Sequence, residues 1–407
     1  MKRVVISGLG AVTALGDDVA GLMEGLRAGR SGVQRMPDWE RYIGLRSLVG
    51  APAALKSVKR IPRQSRRSMG RMSFFAVQAA EEALADAGYD RALLSSGRVG
   101  CIIGSTMGGA EALTDAFETM LPDHDLTRLT SMAFFQCLSH TAAMNVSQYL
   151  GITGHVAATS AACASSLQAI GLGLDLIRSG RQDAVLCGGS EELHPTVTGS
   201  FDILQATSAG FNDAPDGTPR PFDRRRDGLV CGEGSGVVLL EEYEQARARG
   251  VRPWAEALGY RTCGSGAHVS QSNRNAMVAC LNGALADAQV AAADVDWVNA
   301  HATGTRHGDA EETQAIRAVF GDQTPVNALK GYIGHTLGAS GSIELAAMLQ
   351  MMQDGVILPT RNLEEVAEDC SGVRHVTAPL EGPVHTVVKN CFAFGGINAS
   401  LVCRRCP

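Results

Sequence analysis

The chain of 407 residues predicts an α/β protein built from two similar halves. Three observations carry that reading. Short β-leaning apolar runs alternate with longer runs of helical spacing, the pattern of parallel or mixed sheets covered by helices. After residue 220 the alternation restarts, without any residue-level repeat between the two sets. Many of the 47 glycines fall at strand ends, where the backbone must turn or approach a neighbour closely.

The first set opens with "RVVISGLG", a strand running into a glycine loop. Lys2 and Arg3 ahead of it imitate a secretory leader, but Gly8, Gly10 and Gly16 interrupt the apolar run and no small-residue cleavage site follows. A helix in "MSFFAVQAAEEALADAG", a strand in "VGCIIGS", a helix from Ser131 to Leu150 and a short strand in "HVAAT" come next. A helix after Cys163 ends at Ser179–Gly180, and "DAVLCGG" returns as a strand. The second set reads "SGVVLLEEYEQARARG", "MVACLNGALADAQV", "DWVNAHATGT" and "SIELAAMLQMMQDG". It closes with "HTVVKNCFAFGG" and "NASLVCR" as two strands. The division falls between residues 1–250 and 251–407.

Composition narrows the function. With 45% hydrophobic and 19% charged residues the chain reads as a large soluble globular protein. A net charge of −6 gives no reason to expect nucleic acid, and no run nears the length of a membrane span. Eleven cysteines, odd in number and irregularly spaced, point to free thiols in a reducing, cytoplasmic compartment. The single C-x-x-C, Cys403 and Cys406, has no second pair or histidine beside it, so no metal site is expected.

Four segments carry chemistry. In "TSAACASSLQAIG", Cys163 stands where a strand gives way to a helix, so unpaired N–H groups and the helix dipole are expected to favour its thiolate. The plainer alternative is a buried structural cysteine. "NAHATGTRHGDAEE" puts His301 just past a strand's C-terminal end, where α/β folds gather functional groups. "LKGYIGHTLGASGSIE" brackets a glycine-containing loop with Lys330 and His335, and "NCFAFGGINAS" makes a Phe-Gly-Gly turn between strands. Singly, each histidine reads as structural and each glycine loop as a turn. One cysteine, two histidines and a lysine together read as a nucleophilic site.

These motifs, in this order, resemble the elongating β-ketoacyl-acyl-carrier-protein synthases of fatty-acid and polyketide assembly, members of the thiolase superfamily. The resemblance runs from Arg3 to Arg404 and includes "TPRPFDRRRDGLVCGEGSG". It implies a duplicated thiolase-like αβαβα layered fold, one half carrying the cysteine and the other the histidines and lysine. It also implies a decarboxylative Claisen condensation on thioesters carried by the phosphopantetheine of an acyl carrier protein, with no further cofactor. The assembly implied is a homodimer, or a heterodimer with a chain-length-factor-like subunit. "MPDWERYIGLRSLVGAP", "LGASG" and "FAFGGIN" are similar to synthases of aryl-polyene and related highly reducing type II clusters. Two departures, Ala302 in His-Ala-Thr-Gly-Thr and Ala393 with Ile397 in Ala-Phe-Gly-Gly-Ile-Asn, are expected to spare the chemistry; the second should stiffen the loop beside the acyl pocket.

By that resemblance Cys163 takes the acyl chain, and the backbone N–H groups of Cys163 and Phe394 hold its oxyanion. His301 and His335 donate to the malonyl thioester oxygen, and Lys330, held by Glu312, fixes the local field. Thr303 and Thr305 hold the phosphopantetheine arm, Glu344 and Asn390 form a supporting network, and Phe201, Met107 and Phe135 line or close the acyl tunnel. The island "KSVKRIPRQSRRSMGR" has no acidic residue and is expected to dock an acidic carrier through Arg63, Arg66 and Arg67. Two rival readings stand beside this one. A non-decarboxylative thiolase would use a second cysteine, for which Cys391 is the candidate; a chain-length partner subunit would lack the catalytic groups.

Overall fold

The computed structural model describes residues 1–406. Its first half holds strands β1 (Val4–Val12), β2 (Val99–Gly104), β3 (Val156–Ala157), β4 (Ala184–Glu191) and β5 (Gly234–Glu242). Helices α1 (Arg71–Asp86), α2 (Thr141–Leu150) and α3 (Ser165–Arg178) connect them. The second half repeats the series with β6 (Ala255–Gly264), α4 (Arg274–Ala288), β7 (Trp297–Asn299), α5 (Arg306–Phe320), β8 (Pro325–Asn327) and α6 (Ser340–Asp354). A two-residue edge strand β9 (Arg374–His375), then β10 (Thr386–Phe392) and β11 (Ile397–Arg404), complete it.

The duplication invisible in the residues is plain in the topology. In the first half the strands lie β3-β2-β4-β5-β1, in the second β8-β7-β10-β11-β6 with β9 outside β8. Numbered within each half, both orders are third, second, fourth, fifth, first. In each order the first three strands pair in parallel, and the two pairings that follow are antiparallel. The halves meet where β1 pairs antiparallel with β6, through Val5–Glu256 and Ile6–Ala255 alone.

Three apolar clusters mark three helical layers. One packs α1 and α2 on the outer face of the first sheet around Phe75, and a second packs α4 and α5 on the outer face of the second around Met277 and Ile316. The third, between the sheets, is built on α3 and α6 with Leu167, Ile170, Ile343 and Met348. The result is the αβαβα layering expected. Its tightness shows at β1, where a Cβ on Gly8 or Gly10 would stand 2.0 or 1.9 Å from the Ala83 or Ala79 carbonyl of α1.

Two elements differ from expectation. The helix expected across Ser131–Leu150 is two, Ser131–Cys137 and α2, because Leu138 turns extended with ψ 142. "HVAAT" supplies only Val156 and Ala157 to the sheet, a short edge beside β2. Among the described residues all eleven cysteines are free, and no helix is long and apolar enough to cross a membrane.

Candidate active site

The two central helices start in the same way. Ala162, three residues before α3 begins, has φ +47, and Leu337, three residues before α6, also has φ +47. A left-handed backbone is strained for any side chain, and such strain persists only where the surroundings enforce it. Here the bends turn the chain sharply into the middle layer and aim the residues that follow, Cys163 and Gly338, at the seam between the halves. The Cys163 bend is pinned by Ser165, whose Oγ accepts from the Ala161 N–H at 2.8 Å and donates to the Ala162 carbonyl at 2.7 Å.

His335 reaches this seam from the other half. Its N–H donates to the Val230 carbonyl at 2.7 Å and its own carbonyl accepts from Gly232 at 2.9 Å, so its position is tied to the first half. Its Nε2 lies 2.9 Å from Cys163 Sγ. His301, two residues past β7, meets it edge to face with ring centroids 5.1 Å apart. Cys163 and His335 are at most 2% exposed and His301 6%.

Burial sets their protonation. It pushes the Cys163 thiol up to about 12, the neighbouring Cys391 acting in the same direction and the Lys330 charge opposing both. The thiolate expected from the helix start is thereby corrected: α3 begins only at Ser165, and desolvation of the sulfur outweighs the nearby cation. Burial, with the positive charges of Lys330 and Lys389 behind it, holds both imidazoles well below the usual histidine range. The resting site is a thiol beside two neutral imidazoles.

A second expectation is corrected at Lys330. Its ammonium donates to Glu344 Oε1 at 2.6 Å, not to Glu312. Glu312, on α5, instead accepts from the N–H groups of His301 and Ala302, each at 2.7 Å, where the chain leaves β7. Two backbone donors occupy its oxygens, and burial pushes its carboxyl up to about 7. Asn390 joins this network at its margin, donating to Glu312 at 3.4 Å and accepting from Ser400 at 2.9 Å. The sequence reading missed Lys389. Its ammonium donates to the second Glu344 oxygen at 2.6 Å, and all three side chains of this Lys–Glu–Lys bridge are fully buried. The signal was present: a lysine inside an otherwise uncharged strand must find a partner.

A cavity of about 360 Å³ connects this chemistry to the surface. Cys163, His301 and His335 line its buried end, and the exposed Gln205, Arg306 and His307 line its mouth. Between them lie Thr303 and Thr305, whose hydroxyls are 3.0 Å apart. Asp309 fixes that stretch by accepting from the Thr303 and Gly304 N–H groups at 3.0 and 3.1 Å. Phe394 stands on the same wall, in the turn between β10 and β11. The turn is pinned on both sides of it: Ala393 N–H donates to Ile397 and Gly395 N–H to Val269, at 2.8 and 2.7 Å. Gly395 and Gly396, at φ +87 and +72, supply the left-handed pair this turn needs.

Phe201, Met107 and Phe135, expected along an acyl tunnel, lie outside the lining of this cavity. Phe201 packs against the Phe394 ring at 5.7 Å, behind the wall. Met107 and Phe135 are 43% and 37% exposed, on a segment that turns its apolar side chains outward. The basic island resolves into two groups. Lys56, Arg60 and Arg71 pair with Asp17 and Asp18, Glu81, and Glu233, whereas Lys59, Arg63, Arg66 and Arg67 have no carboxylate within 4.0 Å among the described residues.

Comparison with known proteins converges on one family. The model "Beta-ketoacyl synthase, N-terminal domain" matches residues 1–246, and "Beta-ketoacyl synthase, C-terminal domain" matches residues 254–364. The 3-oxoacyl-[acyl-carrier-protein] synthase 1 of Escherichia coli K12 is 35% identical over 410 residues, spanning 100% of this chain and 99% of that one. The crystal structure of a beta-ketoacyl synthase from Burkholderia phymatum STM815 superposes with a TM-score of 0.97 at 44% identity, covering 100% of both chains. The ishigamide ketosynthase/chain length factor follows with a TM-score of 0.92, 30% identity and full coverage of both. The chain belongs to the β-ketoacyl synthase family.

Proposed function

We propose that the protein is a decarboxylating 3-oxoacyl-[acyl-carrier-protein] synthase in which Cys163, His301 and His335 are the catalytic side chains. One observation carries this: a buried thiol and two neutral imidazoles converge at the buried end of a cavity of about 360 Å³ that opens to the surface. In the first half-reaction Cys163 Sγ attacks the acyl thioester, the C–S bond to the carrier breaks, and the thiol proton leaves with the carrier's sulfur. His335 Nε2, at 2.9 Å, is placed to pass that proton. The backbone N–H groups of Cys163 and Phe394 hold the oxyanion.

In the second half-reaction the malonyl thioester loses CO2, and its carbonyl oxygen takes up enolate charge. His301 and His335 donate N–H bonds to that oxygen. Their neutrality matters, because an imidazolium would pair with the malonyl carboxylate and stabilise it against leaving. The enolate carbon attacks the Cys163 thioester, the C–S bond to Cys163 breaks, and the released thiolate takes up the one proton the reaction consumes, which comes from solvent. Thr303 and Thr305 hold the arm, and Arg63, Arg66 and Arg67, with no carboxylate within 4.0 Å among the described residues, meet the acidic carrier.

The thiolase alternative is not favoured. Cys391 lies in the core beside Cys163, but the cavity wall passes through Phe392, Ala393 and Phe394 without it. A silent partner subunit is not favoured either, since all the catalytic groups are present and assembled. The exposed Phe117, Leu121, Leu126 and Phe134 form an apolar face that supports pairing with a second subunit, identical or chain-length-factor-like. A reducing, cytoplasmic setting suits eleven free cysteines. The quoted motifs support a specialised polyene-type pathway. The test supplies acyl- and malonyl-loaded carrier and measures CO2 with 3-oxoacyl product. Condensation of acetyl-CoA without CO2 release would establish the thiolase reading instead.

A further inference from the structure

We propose that Lys389 is a positioning residue for this condensation: it leaves the Lys330–Glu344–Lys389 bridge with one positive charge in excess, and that excess keeps protons off His301 and His335. The inference rests on the decarboxylating function proposed above.

The geometry makes the excess hard to explain otherwise. Lys330 and Glu344, 2.6 Å apart, already form a neutral buried pair. The second Glu344 oxygen needs a donor, but a neutral amide or hydroxyl would serve. The protein uses a second fully buried ammonium, also at 2.6 Å, and an unneutralised buried charge is costly. Lys389 lies on β10 directly across from Asn299 of β7, and its Nζ is 3.5 Å from the Ala300 carbonyl, one residue before His301. The extra charge therefore sits against the backbone that carries one imidazole.

The titratable groups that face the thiol and the two rings come from several elements. They are Cys163 ahead of α3, Glu191 on β4, Cys231 paired with the His335 backbone, Asp309 and Glu312 on α5, Lys330, Glu344 on α6, and Lys389 and Cys391 on β10. Burial disfavours charge on the thiols, the rings, Glu191, Asp309 and Glu312, so Lys389 is the charge in excess among them. Both imidazoles respond to Lys330 and Lys389 in the same direction. Without Lys389 a proton enters the pair more easily, and an imidazolium holds the malonyl carboxylate in place.

The experiment follows CO2 release from malonyl-carrier against pH in the full-length enzyme and in Lys389→Met, Lys389→Gln and Lys389→Arg. Lys389→Gln keeps a donor for Glu344 and loses only the charge, so it serves even where Lys389→Met fails to fold. Removing the charge should move the acid limb upward by about one pH unit, the order a buried unit charge contributes to a near neighbour. Lys389→Arg should restore the wild-type limb. A lower rate or melting temperature in Lys389→Gln with the limb unmoved overturns the proposal and leaves Lys389 a structural brace. No CO2 release by the unmodified enzyme would overturn the proposed function itself, and this inference with it.

Discussion

Cys163 Sγ and His335 Nε2 lie 2.9 Å apart, one ahead of the central helix of the first half and the other ahead of its counterpart in the second. The nucleophile is therefore assembled only when the two halves pack. Its thiol is only 2% exposed and faces a cavity that opens to the surface, so its reactivity depends on a thioester delivered through that cavity. Cys163→Ala should abolish acylation and condensation while shifting the melting temperature little, since a small buried residue replaces a small one. Mass spectrometry after incubation with acyl-carrier should place the adduct on the peptide spanning residues 159–171. An adduct on Cys391 would refute the assignment.

The two imidazoles should separate the half-reactions. His301→Ala and His335→Ala should each lose about a hundred- to a thousandfold in CO2 release from malonyl-carrier, the usual cost of one oxyanion donor, roughly 3–4 kcal/mol. Both should still accumulate acyl-enzyme, His335→Ala more slowly because its ring touches the sulfur. Parallel measurement of acyl-enzyme and CO2 decides. Normal decarboxylation with no acylation in His335→Ala would make that residue the base of the first step alone.

Glu344 and Glu312 make opposite predictions, although both are buried carboxyls beside the same histidines. Glu344 is the shared partner of two buried ammonium groups, so Glu344→Leu strands both charges and should cost on the order of 3–5 kcal/mol in stability. Glu312 holds no ammonium: it accepts from the backbone N–H groups of His301 and Ala302 and, at 3.4 Å, from the Asn390 amide. Glu312→Gln keeps an acceptor there and should cost roughly 1–2 kcal/mol at most. Urea unfolding of the two variants side by side checks the ranking, and a reversed order would restore Glu312 as the holder of Lys330.

How much of this was legible in the sequence depends on range. Cys163, His301, Lys330 and His335 announced themselves because each sits in a short motif of glycine and small residues, where the backbone requirement and the functional group are local. The layered fold followed from alternating periodicities. What escaped was set by packing over distance. That Lys330 meets Glu344 rather than Glu312 is decided by how the short helix Lys330–Ile333 lies against α6. That Phe135 ends on a separate short helix, Ser131–Cys137, is decided by a break at Leu138 that no proline or glycine marks. The Cys163 thiol was misjudged for the same reason: its place before a helix was readable, but its burial beneath the opposite half was not.

Glu191 should draw stability down as the pH rises from 7 to 8. Burial pushes Glu191 up to about 8, against the hydrogen bond it accepts from the Thr106 N–H. Its ordinary value is 4.5, so between 4.5 and about 8 the folded state holds a proton that the unfolded state has released. Stability drains across that window as pH rises. Glu82, Glu192 and Glu312 reach about 7 and Asp309 about 6, so their windows close lower. The buried His301 and His335 act the other way and only below about 6.5, where the unfolded chain takes up their protons. Cys263, drawn down to about 7 by its hydrogen bond with Cys280, also acts the other way as the pH rises above 7. The Glu191 part is therefore read as a difference: between pH 7 and 8 the wild type should lose on the order of 1 kcal/mol relative to Glu191→Gln. A difference that stays constant from 7 to 8 would mean that Glu191 is ionised in the fold.

The basic island should govern encounter with the carrier rather than chemistry, and the structure identifies which of its members can do so. Lys56, Arg60 and Arg71 already neutralise carboxylates of their own chain, so reversing them breaks internal pairs and confounds any binding effect. Arg63 and Arg67 are exposed at either end of a single helical turn, Arg63–Arg66, with no such partner among the described residues. Charge pairs across a docking surface act mainly on association, and salt weakens them within a Debye length of about 10 Å at 0.1 M. Arg63→Glu with Arg67→Glu should therefore raise KM for acyl- and malonyl-carrier about tenfold at low salt and leave kcat nearly unchanged. The difference from wild type should shrink as salt is added. Short pantetheine thioesters carry no acidic protein surface, so their turnover should be unaffected by the same reversal. An equal loss on carrier-bound and short substrates would place the two arginines in the fold or the cavity instead of the docking surface.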